Sequence, residues 1–372
     1  MNKEYMYQPS YAVHPGEFID ELLETIGMKQ AELAIRLGIT TKHLSNLING
    51  KASLTVETAY SLEKVFNDHP AKYWLKLQSN YDLVSKQLHL ELQYQENKSE
   101  YDMWFNQFDY HSLVKMGYLT ERDCRGTTSA KISNLLDFFG CTSIDSWNNL
   151  YCSDLPAACR ISGSSTAKIG NTAAWLRTGQ LLLNRESSEF PDYNKALFKN
   201  NLLKIRELTL DTSNGFSEIM RNLCAEAGVR LLFLREVPHS AICGAAYWIN
   251  DSKTPCIQMS LRFKKNDHFW FTFYHEAAHI LKEHKKTVYL DGDTVEANEI
   301  ETEANKISGD ILIPPVSYKA FLTRNRFYQS DIITFAKKIN IHPGIVVGRL
   351  QHDQKIKWEW HNKLKETFQW AE

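Results

Sequence analysis

"MKQAELAIRLGITTKHLSNLINGK", residues 28–51, is the stretch on which the reading of the N-terminal fold turns. It holds two short amphipathic helices joined by a tight turn. In the first, "QAELAIRLG" brings Leu33, Ala34 and Leu37 to one face and stops at Gly38. Gly38 supplies the left-handed turn residue that other side chains resist. The second helix opens on two capping residues, Thr40 and Thr41, and ends at Asn49-Gly50. Ala34, Ile39, Leu44 and Leu47 are spaced to lock the pair together. This is the pattern of a helix-turn-helix, in which the second helix enters the major groove of DNA. Its exposed start carries Thr41, Lys42, His43, Ser45 and Asn46, with Thr40 at the cap. Ser, Thr and Asn can contact base edges, Lys42 or Lys51 a phosphate, and Gln30 the backbone. Short helices with Gly breaks are common, so periodicity alone leaves a plain helical bundle equally open.

The flanks are helical too. Pro15 suits a first helical position, and "GEFIDELLETIG" puts Phe18, Ile19, Leu22, Leu23 and Ile26 on one side. Further helices are expected from Thr55 and from Pro70, giving an N-terminal bundle over 1–85. Residues 86–98, "KQLHLELQYQENK", read as a connecting helix or linker. The middle region, 86–225, shows helical periodicity in 129–140, 168–184 and 194–209 but no chemical motif. Spacing or partner contact is its expected role.

From about 226 the texture changes. Residues 229–234, 243–249 and 256–260 are short, apolar and partly β-branched, as strands are. Asp267 is placed to cap a helix over about 268–284, and a second helix spans about 294–312 before Pro314-Pro315. Two more short helices lie in 330–351. The tripeptide "HPG" occurs twice, at 14–16 and 342–344, in unlike surroundings. The expected fold is thus mainly α with a small β-sheet (α+β).

The helix over 268–284 contains "FTFYHEAAHILKEH", residues 271–284. Positions four apart on a helix lie about 40° apart on one face. His275 and His279 can therefore present ring nitrogens to one metal, zinc by ligand type, with Glu276 beside it as a general base. The helix is otherwise strongly apolar, and three polar groups on it are costly unless something satisfies them. His284 falls on the far side from His275, and Lys282 and Lys285 occupy the places where an HxxGxxH extension needs Gly and His. A third ligand is expected from the acidic helix that follows. There Glu299, Glu303 and Asp310 share a face, flanked by Glu296 and Glu301, and Ala304, Ile307, Ile311 and Leu312 mark a half-buried side. Much of that acidic run also fits a plain solvated face. Tyr247, Tyr289 and His342 are candidate oxyanion donors, and the strand at 255–260 could pair with an extended substrate.

Two resemblances sharpen this reading. Residues with "HPGE", "QAELA", "LSNLINGK" and "YWLKLQSNYDL" closely resemble HigA-type antitoxins of the Cro/XRE helix-turn-helix superfamily. That implies an operator-binding homodimer on double-stranded DNA, and a toxin as a possible partner. "DHFWFTFYHEAAHI", "ETEANKISGDILIP" and "HPGIVVGRLQHD", over roughly 220–352, resemble the ImmA/IrrE family of zinc metallopeptidases. This resemblance implies a zincin-like α+β domain over 226–372. It makes His275, His279 and Glu303 the zinc ligands, with Glu299 as runner-up for the third. Two departures, Ala278 for a usual Gly and "KISGDIL" for a Phe-Ala-Ala run, remove no ligand. The implied function is a regulator whose zinc endopeptidase cleaves a protein substrate: a repressor, a partner or the chain itself. The alternatives are a non-catalytic antitoxin that binds DNA and a toxin, and a zinc-stabilised scaffold.

Bulk numbers set limits. The 372 residues exceed one simple core, so two or three domains are expected. With 43% hydrophobic and 23% charged residues, the composition is that of a soluble globular protein. A net charge of −1 offers no bulk attraction to nucleic acid, and residues 1–100 carry 10 Lys+Arg against 13 Asp+Glu, so DNA contact must be local. Seven cysteines, with no CxxC pair, argue against a disulfide framework and suit the cytoplasm. No apolar stretch has the make-up of a signal peptide or the length to cross a membrane.

Overall fold

A computed structural model describes residues 11–120, 126–151, 168–185, 190–210, 215–240, 242–249, 253–283, 295–324 and 326–370, with the side chains of 295–298 excepted. The chain forms two compact units, Met1–Asp102 and Met103–Glu372. Texture alone had put boundaries at 85 and 225; residues 103–225 share the second unit.

The first unit is a helical bundle of α1 (Pro15–Ile26), α2 (Gln30–Leu37), α3 (Thr41–Ile48), α4 (Val56–Val65) and α5 (Ala71–Glu96). Its core contains Ile19, Leu23, Leu33, Leu44, Leu47 and Trp74, each at most 3% exposed. Ile26, expected on the buried face of α1, is 51% exposed. It sits in the last turn, where α1 ends at Gly27 and the chain turns toward α2. Residues 86–96, expected as a connecting helix or linker, are the C-terminal part of the helix α5, because nothing in "KQLHLELQYQE" breaks a helix.

The second unit begins with α6 (Lys98–Phe105, which starts in the first), α7 (Tyr110–Lys115), α8 (Thr128–Phe139) and α9 (Ile144–Tyr151). Trp104, Phe108, Phe139 and Trp147 pack ring to ring at 4.7–5.7 Å. Then come α10 (Ile169–Arg185), α11 (Lys195–Glu207) and α12 (Phe216–Glu226). A three-stranded sheet follows, built from β1 (Arg230–Phe233), β2 (Gly244–Ile249) and β3 (Thr254–Met259) in the order β1-β3-β2. β1 runs parallel to β3, and β2 antiparallel to it.

Strand alternation divides the sheet's side chains between two helical layers. Ala246, Trp248, Ile257 and Met259 join the core around α13 (Asn266–Leu281). Gln258 faces α10, donating to Trp175 O at 2.9 Å and accepting from the Tyr247 hydroxyl at 2.9 Å. Buried Asn171 of α10 accepts from Asp109 N and donates to Pro238 O, both at 2.7 Å. The middle region thus supplies one of the layers that hold the sheet.

α14 (Val295–Leu312), α15 (Pro315–Leu322), α16 (Gln329–Lys338) and α17 (Pro343–His352) complete the unit. The Arg206 guanidinium closes two helix ends, donating to Leu312 O at 2.9 Å and Ile339 O at 2.7 Å. α13 starts at Asn266, two residues before its expected start, and Asp267 does not cap it. Asp267 is buried and ion-paired with Lys365 at 2.6 Å, so the C-terminal segment, not a cap, anchors the helix start. Lys264 O also accepts from Phe368 N at 2.8 Å, and Asn266 N donates to Glu366 O at 3.1 Å. No described helix is long and apolar enough to cross a membrane.

Candidate metal centre and nucleic-acid interface

α13 lies against the sheet with its apolar face and turns His275 and His279 toward α14. Their Nε2 atoms are 3.1 Å apart. The carboxylate of Glu301 reaches both, with Oε2 at 3.1 Å from His275 Nε2 and Oε1 at 3.4 Å from His279 Nε2. The three ligating atoms all lie within 4.8 Å of one another.

Glu301, not Glu303, therefore completes the cluster. Glu303 points elsewhere and pairs with Lys282. Glu299, the runner-up, is exposed. The reason is helical phase: Glu301 stands three, seven and eleven residues before Ala304, Ser308 and Leu312, all buried. Glu303 shares its stripe with Ile307 and Ile311, which are only half-buried. His284 and Tyr289 lie outside the described residues, as does the side chain of Glu296.

The donor set fits zinc. Two imidazoles and one carboxylate are a ligand combination of catalytic zinc sites. Asn305, one turn beyond Glu301, has its Oδ1 3.0 Å from His275 Nδ1. An Nδ1–H donated there leaves the Nε2 lone pair free for a metal. Glu276 is buried beside the cluster, and the Ala246 N–H of β2 donates to its carboxylate. Burial pushes the Glu276 carboxyl above its ordinary pKa, against the pull of both histidines. For Glu301 burial acts in the same upward direction, but the hydrogen bonds and charges of the histidines outweigh it and hold the carboxyl low.

Three further expectations are corrected. Tyr247 is on the opposite sheet face, its hydroxyl committed to Gln258. His342 caps α17: Nδ1 accepts from Gly344 N at 3.0 Å and faces Asn266 Nδ2 at 2.8 Å, while Nε2 lies 3.3 Å from Glu366. Neither is an oxyanion donor. β3 is flanked by strands on both sides, so it has no backbone edge for a substrate; β2 is the outer strand beside Glu276.

In the first unit, Gly38 adopts φ +69° and turns the chain from α2 into α3. Ala34, Leu44 and Leu47 are buried between the helices, and Ile39 is half-buried. The Thr40 hydroxyl accepts from His43 N at 3.1 Å, so it caps α3. Thr41, Lys42 and His43 are exposed in the first turn of α3 and Lys51 is exposed just past its end, with Ser45 and Asn46 half-buried along the helix between them. The side chain of Asn49 donates to Ser45 O at 2.7 Å and lies 3.3 Å from the Ser45 hydroxyl. Gln30 is exposed at the start of α2, its Nε2 3.2 Å from Asp20 Oδ1. The structure thus gathers the predicted reading residues on and around α3.

A helix-turn-helix family model matches residues 19–70. Virulence-associated protein A of Dichelobacter nodosus is 37% identical over 71 residues, which are 19% of this chain and 70% of that protein. The first unit belongs to the helix-turn-helix family. Virulence-associated protein A′ of the same organism is 39% identical over 70 residues, and the chain spans 61% of its length. The HTH-type transcriptional regulator YbaQ of Escherichia coli K12 is 41% identical over 70 residues, 18% of this chain and 61% of YbaQ.

Among solved structures, a putative antidote protein of a plasmid maintenance system from Nostoc punctiforme is 30% identical. It covers 24% of this chain and 96% of its own, with a TM-score of 0.23. The Pseudomonas aeruginosa antitoxin HigA, solved with the higBA promoter, is 27% identical over 24% of this chain and 89% of its own, with a TM-score of 0.20.

Outside the helix-turn-helix unit, the sequence reading gave no role to two residues of the cluster. Glu301 was reachable by stepping back three residues from Ala304, one of the two best-buried apolar positions of its helix. Asn305 carried no such signal, because an Asn next to an acidic helix reads as solvated surface.

Proposed function

We propose that the protein is a DNA-binding regulator whose second unit is a zinc-dependent endopeptidase. The observation that carries the enzymatic half is the meeting of His275, His279 and Glu301 from two helices, with buried Glu276 alongside. These three residues would hold a zinc ion, which when bound would supply Lewis acidity toward a water and a peptide carbonyl. Glu276 accepts the proton from the attacking water and delivers it to the departing amine. The Ala246 N–H fixes the carboxylate, and Asn305 fixes the ring of His275. The outer edge of β2 offers backbone groups to an extended peptide.

The helix-turn-helix unit places α3 in the major groove of an operator, with Lys42 and Lys51 on phosphates and Ser45 and Asn46 toward base edges. The unit acts as a homodimer, and the peptidase substrate is a repressor-like chain, a toxin partner or the protein itself.

One experiment tests the enzymatic half. Bound zinc is measured, then wild type and Glu276→Ala are compared for cleavage of co-expressed candidate partners and of the chain itself. Cleavage that disappears in the variant is expected. Zinc binding without any Glu276-dependent cleavage would leave a DNA-binding antitoxin with a metal site of no catalytic use.

A further inference from the structure

The second unit contains a cavity of about 410 Å³ next to the metal-binding cluster, walled by α13, α14 and α17. Buried Leu312, Ile313 and Ile345 form its apolar depth, Phe271 is half-buried in its wall, and Trp358, 59% exposed, stands at its rim. Two positions tie it to the cluster. Phe271 precedes His275 by one helical turn, with ring centroids 6.2 Å apart. Asn305 follows Glu301 by one turn, holds His275 Nδ1 and lines the cavity. The cavity therefore opens one turn from the ligands on both helices.

We propose that this cavity receives a large apolar side chain, aromatic before aliphatic, from the peptide held at the cluster. The inference rests on the endopeptidase reading. The volume is near the lower end of small-ligand pockets and has ample room for the bulkiest side chain. Charge selects in the same direction. Lys306 and Arg349 line the cavity, Arg349 paired with Asp353 at 2.9 Å, and the cavity's one carboxylate, Asp267, is matched by Lys365 at 2.6 Å. A Lys or Arg side chain would meet cations with no unmatched carboxylate. An Asp or Glu would lose its hydration against apolar walls.

The test uses the full chain. Zinc-loaded protein is incubated with a proteome-derived peptide library, and cleavage sites are read by mass spectrometry with Glu276→Ala as background. One position beside the cleaved bond should favour Phe, Tyr, Trp or Leu over Ala by about tenfold or more. Ile345→Trp narrows the cavity and should shift that preference to smaller residues. Trp358→Ala, on the exposed rim and safe for folding, should weaken the aromatic preference. In parallel, N-acetyl-L-phenylalaninamide and N-acetylglycinamide are titrated calorimetrically into Glu276→Ala, with and without zinc. Only the first should bind, and Ile345→Trp should abolish it. Cleavage without an apolar preference, or with one that both variants leave untouched, overturns the proposal. Binding that Ile345→Trp abolishes, without cleavage of any peptide, supports the cavity's ligand class and overturns the peptidase reading. Neither cleavage nor binding overturns both.

Discussion

At the scale of single residues, the cluster makes a prediction that separates neighbours two positions apart. Glu301 touches both histidines, whereas Glu303 holds Lys282 on the helix's other side. Glu301→Gln should cut zinc affinity severely, and Glu303→Gln should leave it unchanged, in competition with a chromophoric chelator. Asn305→Ala removes only the partner of His275 Nδ1, and a loss of about 10–100-fold is expected. Equal losses from Glu301→Gln and Glu303→Gln would sink the assignment. The histidines were legible because four-residue spacing fixes them to one helix face, and Glu276 because it directly follows the first of them. The third member of the cluster was less so, since "EIETEAN" offers carboxylates on two opposite sides and only tertiary packing shows which side is buried. Asp267 was misread for a related reason: a carboxylate near a helix start looks like a cap, and its true partner, Lys365, is about a hundred residues away.

At the scale of elements, the two "HPG" tripeptides share a job that their flanks conceal. In each, the His Nδ1 accepts from the Gly N–H at 3.0 Å, Pro occupies the first turn, and a helix begins. In each, the Gly also permits a close approach. A Cβ on Gly16 would lie 2.3 Å from Leu47 O, and one on Gly344 would lie 2.8 Å from Asn266 Oδ1 and 2.9 Å from Leu364 O. His14→Ala should destabilise its unit by about 1 kcal/mol, the usual worth of an N-cap. Gly16→Ala should cost more, because the atoms it meets are backbone and α1 must separate from α3. Hydrogen exchange read over residues 15–48 checks both, and equal protection in the two variants would contradict the close-approach argument. Such packing is invisible to periodicity, which finds α1 and α3 separately and says nothing of the distance between them.

At the scale of the whole molecule, the two units should answer differently to metal and to salt. The second unit has a continuous apolar core running from α11 through the sheet to α17, independent of the cluster. Chelation should therefore leave its far-ultraviolet circular dichroism intact, unlike a structural zinc site whose binding energy is its folding energy. The DNA response follows from charge. The chain's net charge is −1 and its first hundred residues are slightly acidic, so attraction to DNA must come from a few cations around α3. Each phosphate contact contributes about −0.9 to the slope of log K against log salt. A shallow slope is thus expected on the operator, and Lys42→Ala should reduce its magnitude by about one per half-site across all sequences. Asn46→Ala should leave the slope alone and relax sequence preference, although its backbone carbonyl, which accepts from Lys51 N at 2.8 Å, stays in place to hold the turn. Gel-shift titrations with the chain's own upstream DNA at several salt concentrations separate the two effects. Indifference of both slope and preference to these changes would remove α3 from the groove.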